Sequence, residues 1–395
     1  TLFRSKHKII TKVEIGGFSM NFNYNLPVNI LFGRGRINDV GKEVSKYGKK
    51  VLIVTGKNST KKTGLLDKTI DLLKDSKIEY EVFDRVEQNP LITTIYSGVE
   101  IIKSTGCDCV LGLGGGSIMD AAKSIAFSYK NPGDLNDYIF GIRQGEEALP
   151  IILVPTTSGT GSEGNCFAVL TNSETKDKKS IKKNSMYAKA SIIDPELMVT
   201  MPKHIIASVG FDALAHNMEA YLSNGRNPLA DVQAIYGIEL ISENLIKVYN
   251  DVNDLEAWEK ITLASTIGGM TIGTAGTALP HGMEHPVSGL RDVMHGKGLA
   301  ALTPTIIESS WDSDIERFGN ISKVLGGTCA EDCSDAIRNF LKKIDLDIKL
   351  SDLGIEKSDI DWLTDNCMKI SVANIKRHPK YFNKEQIKEM YHKSL

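Results

Sequence analysis

The chain has 395 residues, 41% hydrophobic and 24% charged, with a formal net charge of -2. That length allows two domains with sizeable cores. The near balance of charge gives no reason to expect nucleic acid or an anionic membrane as partner, and no uninterrupted apolar run approaches the roughly 20 residues of a spanning helix.

Residues 1–19 (TLFRSKHKIITKVEIGGFS) are basic and lack a signal-peptide apolar core. They run into Met20, which reads as a natural start, so they are expected to be an added leader outside the fold. From Met20, NFNYNLPVNILFG reads as strand broken at Pro27. A helix over Ile37 to Tyr47 and the apolar strand VLIVT (Val51 to Thr55) follow, then a loop from Gly56 to Gly64 and a helix over Leu65 to Ser76. Next come a strand at Glu79 to Val82, a turn at Asn89-Pro90, a helix through Gly98 to Ser104 and the strand CVLGLG. PIILVP (Pro150 to Pro155) continues the series and SIIDPEL (Ser191 to Leu197) closes it. Short apolar strands alternating with helices predict an α/β fold, a doubly wound parallel sheet over residues 20–200.

Beyond residue 200 the pattern turns to long helical segments, among them Ile205 to Ser223, Pro228 to Val248, Leu255 to Gly269, Ile315 to Leu325 and Cys333 to Ile344. An all-α second domain over 201–395 is predicted. The six cysteines include no CxxC element and read as reduced thiols of a cytoplasmic protein, with a Cys329/Cys333 metal site disfavoured.

Two loops after strands look ready for a ligand. In GLGGGSIMDAAKSIA an apolar strand ends at Gly114, Gly115 and Gly116, and Ser117 falls where a helix N-cap is expected. Glycines let the backbone approach an oxyanion, and free N–H groups at a helix start favour phosphate, so the diphosphate of a dinucleotide is the natural guest. A ligand-free tight turn accounts for the same residues, because the cluster is neither GxGxxG nor a Walker motif. The loop PTTSGTGSE adds Thr156, Thr157, Ser158, Thr160 and Ser162 after the next strand, and ligands of doubly wound sheets sit at strand carboxyl ends.

Four of the eight histidines fall between Gly210 and His295. Asp212 and His216 are four apart, as are His281 and His285, a spacing that puts each pair on one helical face. Packed together, Asp212, His216, His281 and His295 can surround one divalent cation that holds an alcohol oxygen. Taken singly, each is more often a packed histidine or a local Asp/His hydrogen bond. The glycines and prolines around the later histidines (Pro280, Gly282, Pro286, Gly289, Gly296, Gly298) read as a ligand-bearing bend.

With these residues laid out, the sequence from Met20 to Leu395 resembles the iron-containing (group III) alcohol dehydrogenases, its NADPH-dependent butanol- and aldehyde-reducing members above all. The resemblance rests on GGGSIMDAAK, PTTSGTGSE, DPEL, GFDALAHNMEAY and HGMEHPVSG followed by His295-Gly296. It implies a dinucleotide-binding domain, a helical metal-binding domain and an active site in the cleft between them. The family's one Asp and three His ligands carry over to Asp212, His216, His281 and His295, for Fe2+ with Zn2+ as alternative. His285 matches a further histidine beside the nicotinamide, a proton relay or a packing residue. Cofactor contacts are implied at Gly114, Gly115, Gly116, Ser117, Asp120, Thr156, Thr157, Ser158, Thr160 and Lys178, with Lys179 as the neighbouring choice. A homodimer or higher homo-oligomer is also implied.

Two departures bear on specificity. Where many NAD-using members carry an Asp after VLIVT, this chain has Gly56, followed by Ser59, Lys61 and Lys62 in GKNSTKKTG. NADP(H) is therefore expected over NAD(H), although the lysines would equally solvate a loop. Before His281, Ile272, Gly273 and Thr274 enlarge or depolarise the pocket, favouring linear aliphatic alcohols and aldehydes over diols. The rival functions are a glycerol or diol dehydrogenase using Zn2+ and NAD, a dehydroquinate synthase-like lyase, and a non-catalytic metal- or nucleotide-binding protein of the same fold.

Overall fold

A computed structural model describes residues 21–395; the leader assigned to 1–19 lies outside the described residues. The first half alternates β1 (Asn29–Phe32), α1 (Val40–Val44), β2 (Lys50–Gly56), α2 (Ser59–Lys62), α3 (Leu65–Asp75), β3 (Glu79–Val86), α4 (Ile92–Thr105) and β4 (Cys109–Gly114). It continues with α5 (Gly116–Lys130), α6 (Leu135–Ile139), β5 (Ile151–Pro155), β6 (Phe167–Thr171), β7 (Lys178–Lys182) and β8 (Ala190–Ile193). Six of the described strands form one parallel sheet in the order β1-β8-β5-β4-β2-β3, and β6 and β7 pair as an antiparallel ribbon.

Both faces of the sheet are covered. Val51 and Ile53 of β2 point to a core with Leu65 and Leu73 of α3, while Leu52 and Val54 point to one with Ile95 of α4 and Met119 and Ile125 of α5. Alternate side chains of a strand face opposite ways, so a strand covered on both sides must be apolar throughout.

The chain differs from expectation at its start. Residues 21–28 form no regular element and the strand begins at Asn29. Pro27 has no N–H to give a ladder, so pairing with β8 starts beyond it. Ser117 does not cap α5 either: the cap position is Gly115, without a side-chain bond, and Ser117 lies in the first turn.

The second half is helical, with α7 (Lys203–Leu222), α8 (Pro228–Asn250), α9 (Leu255–Ala275), α10 (Leu279–Arg291) and α11 (His295–Glu308). α12 (Ile315–Val324), α13 (Cys333–Lys342), α14 (Ile360–Ile370), α15 (Val372–Arg377) and α16 (Lys384–Lys393) complete it. No described helix is long and apolar enough to cross a membrane. α7 is buried almost all round from Ile206 to Leu222, the signature of a central helix.

The bend read from the glycines and prolines is a pair of continuous helices. Gly289 and Gly296 sit where a Cβ would fall 2.2 Å from Lys176 O and 1.9 Å from Ser208 O, so they allow close packing instead of breaking the helix. The actual turn is at Asp292, with φ 50°, whose carboxylate accepts from Asn89 Nδ2 at 2.8 Å. Pro286 lies inside α10 and cannot donate to the carbonyl four residues back. That carbonyl, of Gly282, accepts instead from Ser371 Oγ at 2.8 Å. The carbonyl that Pro286 leaves free thereby fastens the segment joining α14 to α15.

Candidate active site

The cluster is built by α7, α10 and α11. Asp212 and His216 lie one turn apart on α7, His281 opens α10 and His295 opens α11. All three imidazoles converge on one atom, Asp212 Oδ1: His216 Nδ1 is 3.5 Å away, His281 Nε2 3.6 Å and His295 Nε2 3.7 Å. These separations are too long for good hydrogen bonds. Asp212 Oδ1 and His281 Nε2 are buried with no hydrogen-bond partner. Buried unpaired polar atoms are costly, so a site that gathers them is built for something that binds them.

Outer acceptors fix the rings. His281 Nδ1 lies 2.6 Å from Glu219 Oε1, His295 Nδ1 contacts Glu284 Oε2, and His216 Nδ1 lies 3.4 Å from Gly159 O. For His281 and His295, holding Nδ1 in this way leaves Nε2 as donor to a cation, the usual arrangement around metal-ligating histidines. In His216 the same Nδ1 lies beside both Gly159 O and Asp212. Asp212, His216 and His281 form one compact trio able to hold an ion; Glu284, His285 and His295 form a second group beside it. Among the described residues, Asp212 Oδ1 and Glu284 Oε2 are both buried without a hydrogen-bond partner. The first trio is the better cation site because only imidazoles stand around its carboxylate oxygen, whereas a cation, Lys178 Nζ, already lies 3.6 Å from Glu284 Oε2.

Electrostatics agree with a cation site. Burial alone would lower the His281 pKa, yet the Glu219 and Asp212 carboxylates lift it to about 10. Burial would raise Asp212, but His216, His281 and His295 hold it well below the usual carboxylate range. Burial pushes His216 down to about 4, against the pull of Asp212. Glu284 would be raised by burial, and His295 and Lys178 bring it down to about 2. Burial, reinforced by Lys178, keeps His285 well below its ordinary value, hence neutral.

The cluster forms the floor of a cleft of about 1090 Å³ counting its open mouth. Gly116, Ser117, Asp120, Thr160 and Lys178 line it together with His216, His281, His285 and His295. Gly115 and Gly116 pack against Thr157 and Thr160, bringing the glycine turn and the hydroxyl-rich loop to one sheet edge. Gly114, Thr156 and Thr157 stand behind that lining, and Gly56 meets the same turn through Ile118. Ser158 is turned away, its Oγ 2.9 Å from Thr262 Oγ1. Both oxygens of Asp120 are engaged, by Ser162 Oγ at 2.6 Å and Val169 N at 2.8 Å. Ser59, Lys61 and Lys62 are exposed beyond β2, and Lys61 pairs with Asp84 of β3.

Sequence reasoning missed Glu219 and Glu284. Each lies three residues after a histidine of the cluster, His216 and His281, on the same helical face. That spacing was the available signal.

Comparison with known proteins bears on this geometry. The sequence profile of iron-containing alcohol dehydrogenases matches residues 27–195, and that of the family's C-terminal domain matches 206–395. The 1,3-propanediol dehydrogenase of Citrobacter freundii is 34% identical over 95% of this chain and 99% of its own length. The NADPH-dependent butanol dehydrogenase of Clostridium saccharobutylicum is 30% identical over 93% of this chain and 96% of its own. The crystal structure of an archaeal halo-thermophilic alcohol dehydrogenase from a Red Sea brine pool superposes with a TM-score of 0.92 at 35% identity, covering 96% of this chain and 100% of that one.

Proposed function

Because the chain belongs to the iron-containing alcohol dehydrogenase family, we propose that it transfers a hydride between NADP(H) and a primary aliphatic alcohol or its aldehyde. Asp212, His216, His281 and His295 would hold Fe2+, or alternatively Zn2+, since carboxylate and imidazole suit both. The observation that carries the reading is the convergence of three imidazoles on a buried carboxylate oxygen without a hydrogen-bond partner, two of them with Nδ1 held by a glutamate. The reading includes a division near residue 200 into dinucleotide-binding and metal-binding domains, a cytoplasmic location, and a homodimer or higher homo-oligomer.

When bound, the ion supplies Lewis acidity toward the substrate oxygen and the nicotinamide supplies the hydride acceptor or donor. The chain's own residues bind and orient. The uncapped start of α5 offers backbone N–H groups to a diphosphate, and Ser117 and Thr160 add hydroxyls beside it. Phe167, Val169, Ile272 and Ile370 give the cleft apolar walls that exclude water. His285, neutral and one turn after His281, can hold or pass a proton at the cleft wall.

Glu219 serves by orienting His281. In a Glu219→Gln variant the side-chain volume stays and the charge goes, so divalent-metal affinity should fall about 10- to 100-fold. A metal titration followed by calorimetry checks this, and unchanged affinity would remove Glu219 from the role.

Preference for NADP(H) is supported by Gly56, which leaves no carboxylate at the end of β2, and by the exposed Ser59 and Lys62 beyond it. With butanal as substrate, kcat/KM should be at least about tenfold higher with NADPH than with NADH, worth roughly 1.4 kcal/mol. Equal or better rates with NADH would favour the second reading, an NAD-dependent diol dehydrogenase holding Zn2+. One observation favours that alternative: Lys61 is already paired with Asp84, so an acid does stand near this strand edge.

A further inference from the structure

One wall of the cleft plays no part in the groups described so far. Arg377 closes α15 and is half-buried on the cleft, one turn beyond Asn374, which also lines it. The guanidinium rests on Gly276, where a Cβ would fall 2.6 Å from both Cζ and Nε and where φ is +73°. Only glycine leaves room for it there. Among the described residues the guanidinium makes no hydrogen bond or ion pair, and burial alone acts on its pKa, pushing it down.

The neighbouring charges are otherwise occupied. Lys178 faces Glu284, Lys179 Nζ donates to Ile370 O at 2.7 Å, and Asp120 is bonded through both oxygens. Asn374 Nδ2 donates to Thr277 Oγ1 at 2.8 Å, so these two side chains are ordered beside the free guanidinium. The wall is tied to the cation cluster: Ser371 Oγ bonds Gly282 O, and a Cβ at Gly282 would lie 2.8 Å from Asn374 Cβ. Arg377 follows Asn374 by three residues, about 4.5 Å along the helix. A partly desolvated guanidinium without an acceptor is unfavourable until an anion arrives, and its planar fork matches an oxyanion.

We propose that Arg377, flanked by Asn374 and Thr277, recognises an oxyanion, a carboxylate in the simplest case, at the end of a short substrate remote from its reacting carbon. The inference rests on the alcohol dehydrogenase reading and narrows its substrate class from plain aliphatic aldehydes to acid-tailed ones.

The test compares succinic semialdehyde with butanal on the metal-loaded enzyme with NADPH, in wild type, Arg377→Ala and Arg377→Lys. Wild type should favour the acid aldehyde by at least about tenfold in kcat/KM. Arg377→Ala should lose that preference through KM, leaving butanal kinetics and the KM for NADPH within roughly twofold, and Arg377→Lys should keep part of it. Succinate, titrated calorimetrically, should bind wild type and not Arg377→Ala. Turnover of butanal without preference for the acid overturns the proposal alone. So does an equal loss on both aldehydes in Arg377→Ala, or a matching rise in the KM for NADPH, which would assign the arginine to the cofactor. Turnover of neither aldehyde by wild type sinks the dehydrogenase reading, and this inference with it.

Discussion

The His281→Ala variant is expected to lose bound divalent metal and alcohol oxidation together. His281 is 3% exposed and its Nε2 is one of three imidazole nitrogens gathered around Asp212 Oδ1. Alanine removes that donor and cannot be replaced by a neighbour, because Glu219, the nearest other acid, is held by Ala278 N at 2.6 Å. The same bond keeps the Glu219 carboxylate partnered after substitution, so the fold should survive. We expect kcat/KM to fall by at least about 1000-fold, roughly 4 kcal/mol of transition-state stabilisation. Elemental analysis after anaerobic purification should find the metal gone, with the thermal transition still cooperative. An active, metal-free variant would refute the ligand assignment.

The second large effect concerns a contact between two backbones. α9 passes beneath the hydroxyl-rich loop so closely that a Cβ at Gly269 would lie 1.8 Å from Gly161 O, and one at Gly161 would lie 2.3 Å from Ser265 O. Neither obstacle is a side chain that could rotate away. Asn165 Nδ2 bridges the pair, at 3.3 Å from both Gly161 O and Gly269 O. Gly269→Ala must therefore push the loop off the helix. Overpacking of this kind costs about 1–3 kcal/mol, or roughly 1–4 °C in Tm for a chain of this size. The loop also carries Thr160 at the cleft and Gly159 against His216, so the KM for NADPH should rise with the loss of stability. A calorimetric melt and a cofactor titration read both; a variant with unchanged Tm would show that the contact is looser than drawn.

What was legible in the sequence is what local pattern dictates. VLIVT, CVLGLG and PIILVP are buried on both faces and so are apolar without alternation, which marks them as inner strands. The pairs Asp212/His216 and His281/His285 could be placed on helical faces by spacing alone. Not legible was the β6–β7 ribbon, because KKSIK looks like a charged loop. Lys178 is 4% exposed only because Glu284, far along the chain, comes to meet it. Glu219 and Glu284 escaped for the same reason: an acid three residues from a histidine is common on a wet helix, and only tertiary burial makes it an acceptor. Pro286 pointed to a bend, whereas the structure repairs the missing hydrogen bond with Ser371, which no local reading of HGMEHPVSG could supply.

The meeting of three helices at one carboxylate oxygen has a thermodynamic corollary. An ion held there would act as a crosslink, joining stretches of chain that are far apart in sequence and closing the long loops between them. Chelation would then slacken α7, α10 and α11 at once, and the loss of catalysis would arrive with a loss of rigidity. The reinforcement grows only logarithmically with free metal, reaching about 2.7 kcal/mol at a hundred times the dissociation constant. Scarcity of the ion would accordingly be felt by the fold as well as by the chemistry.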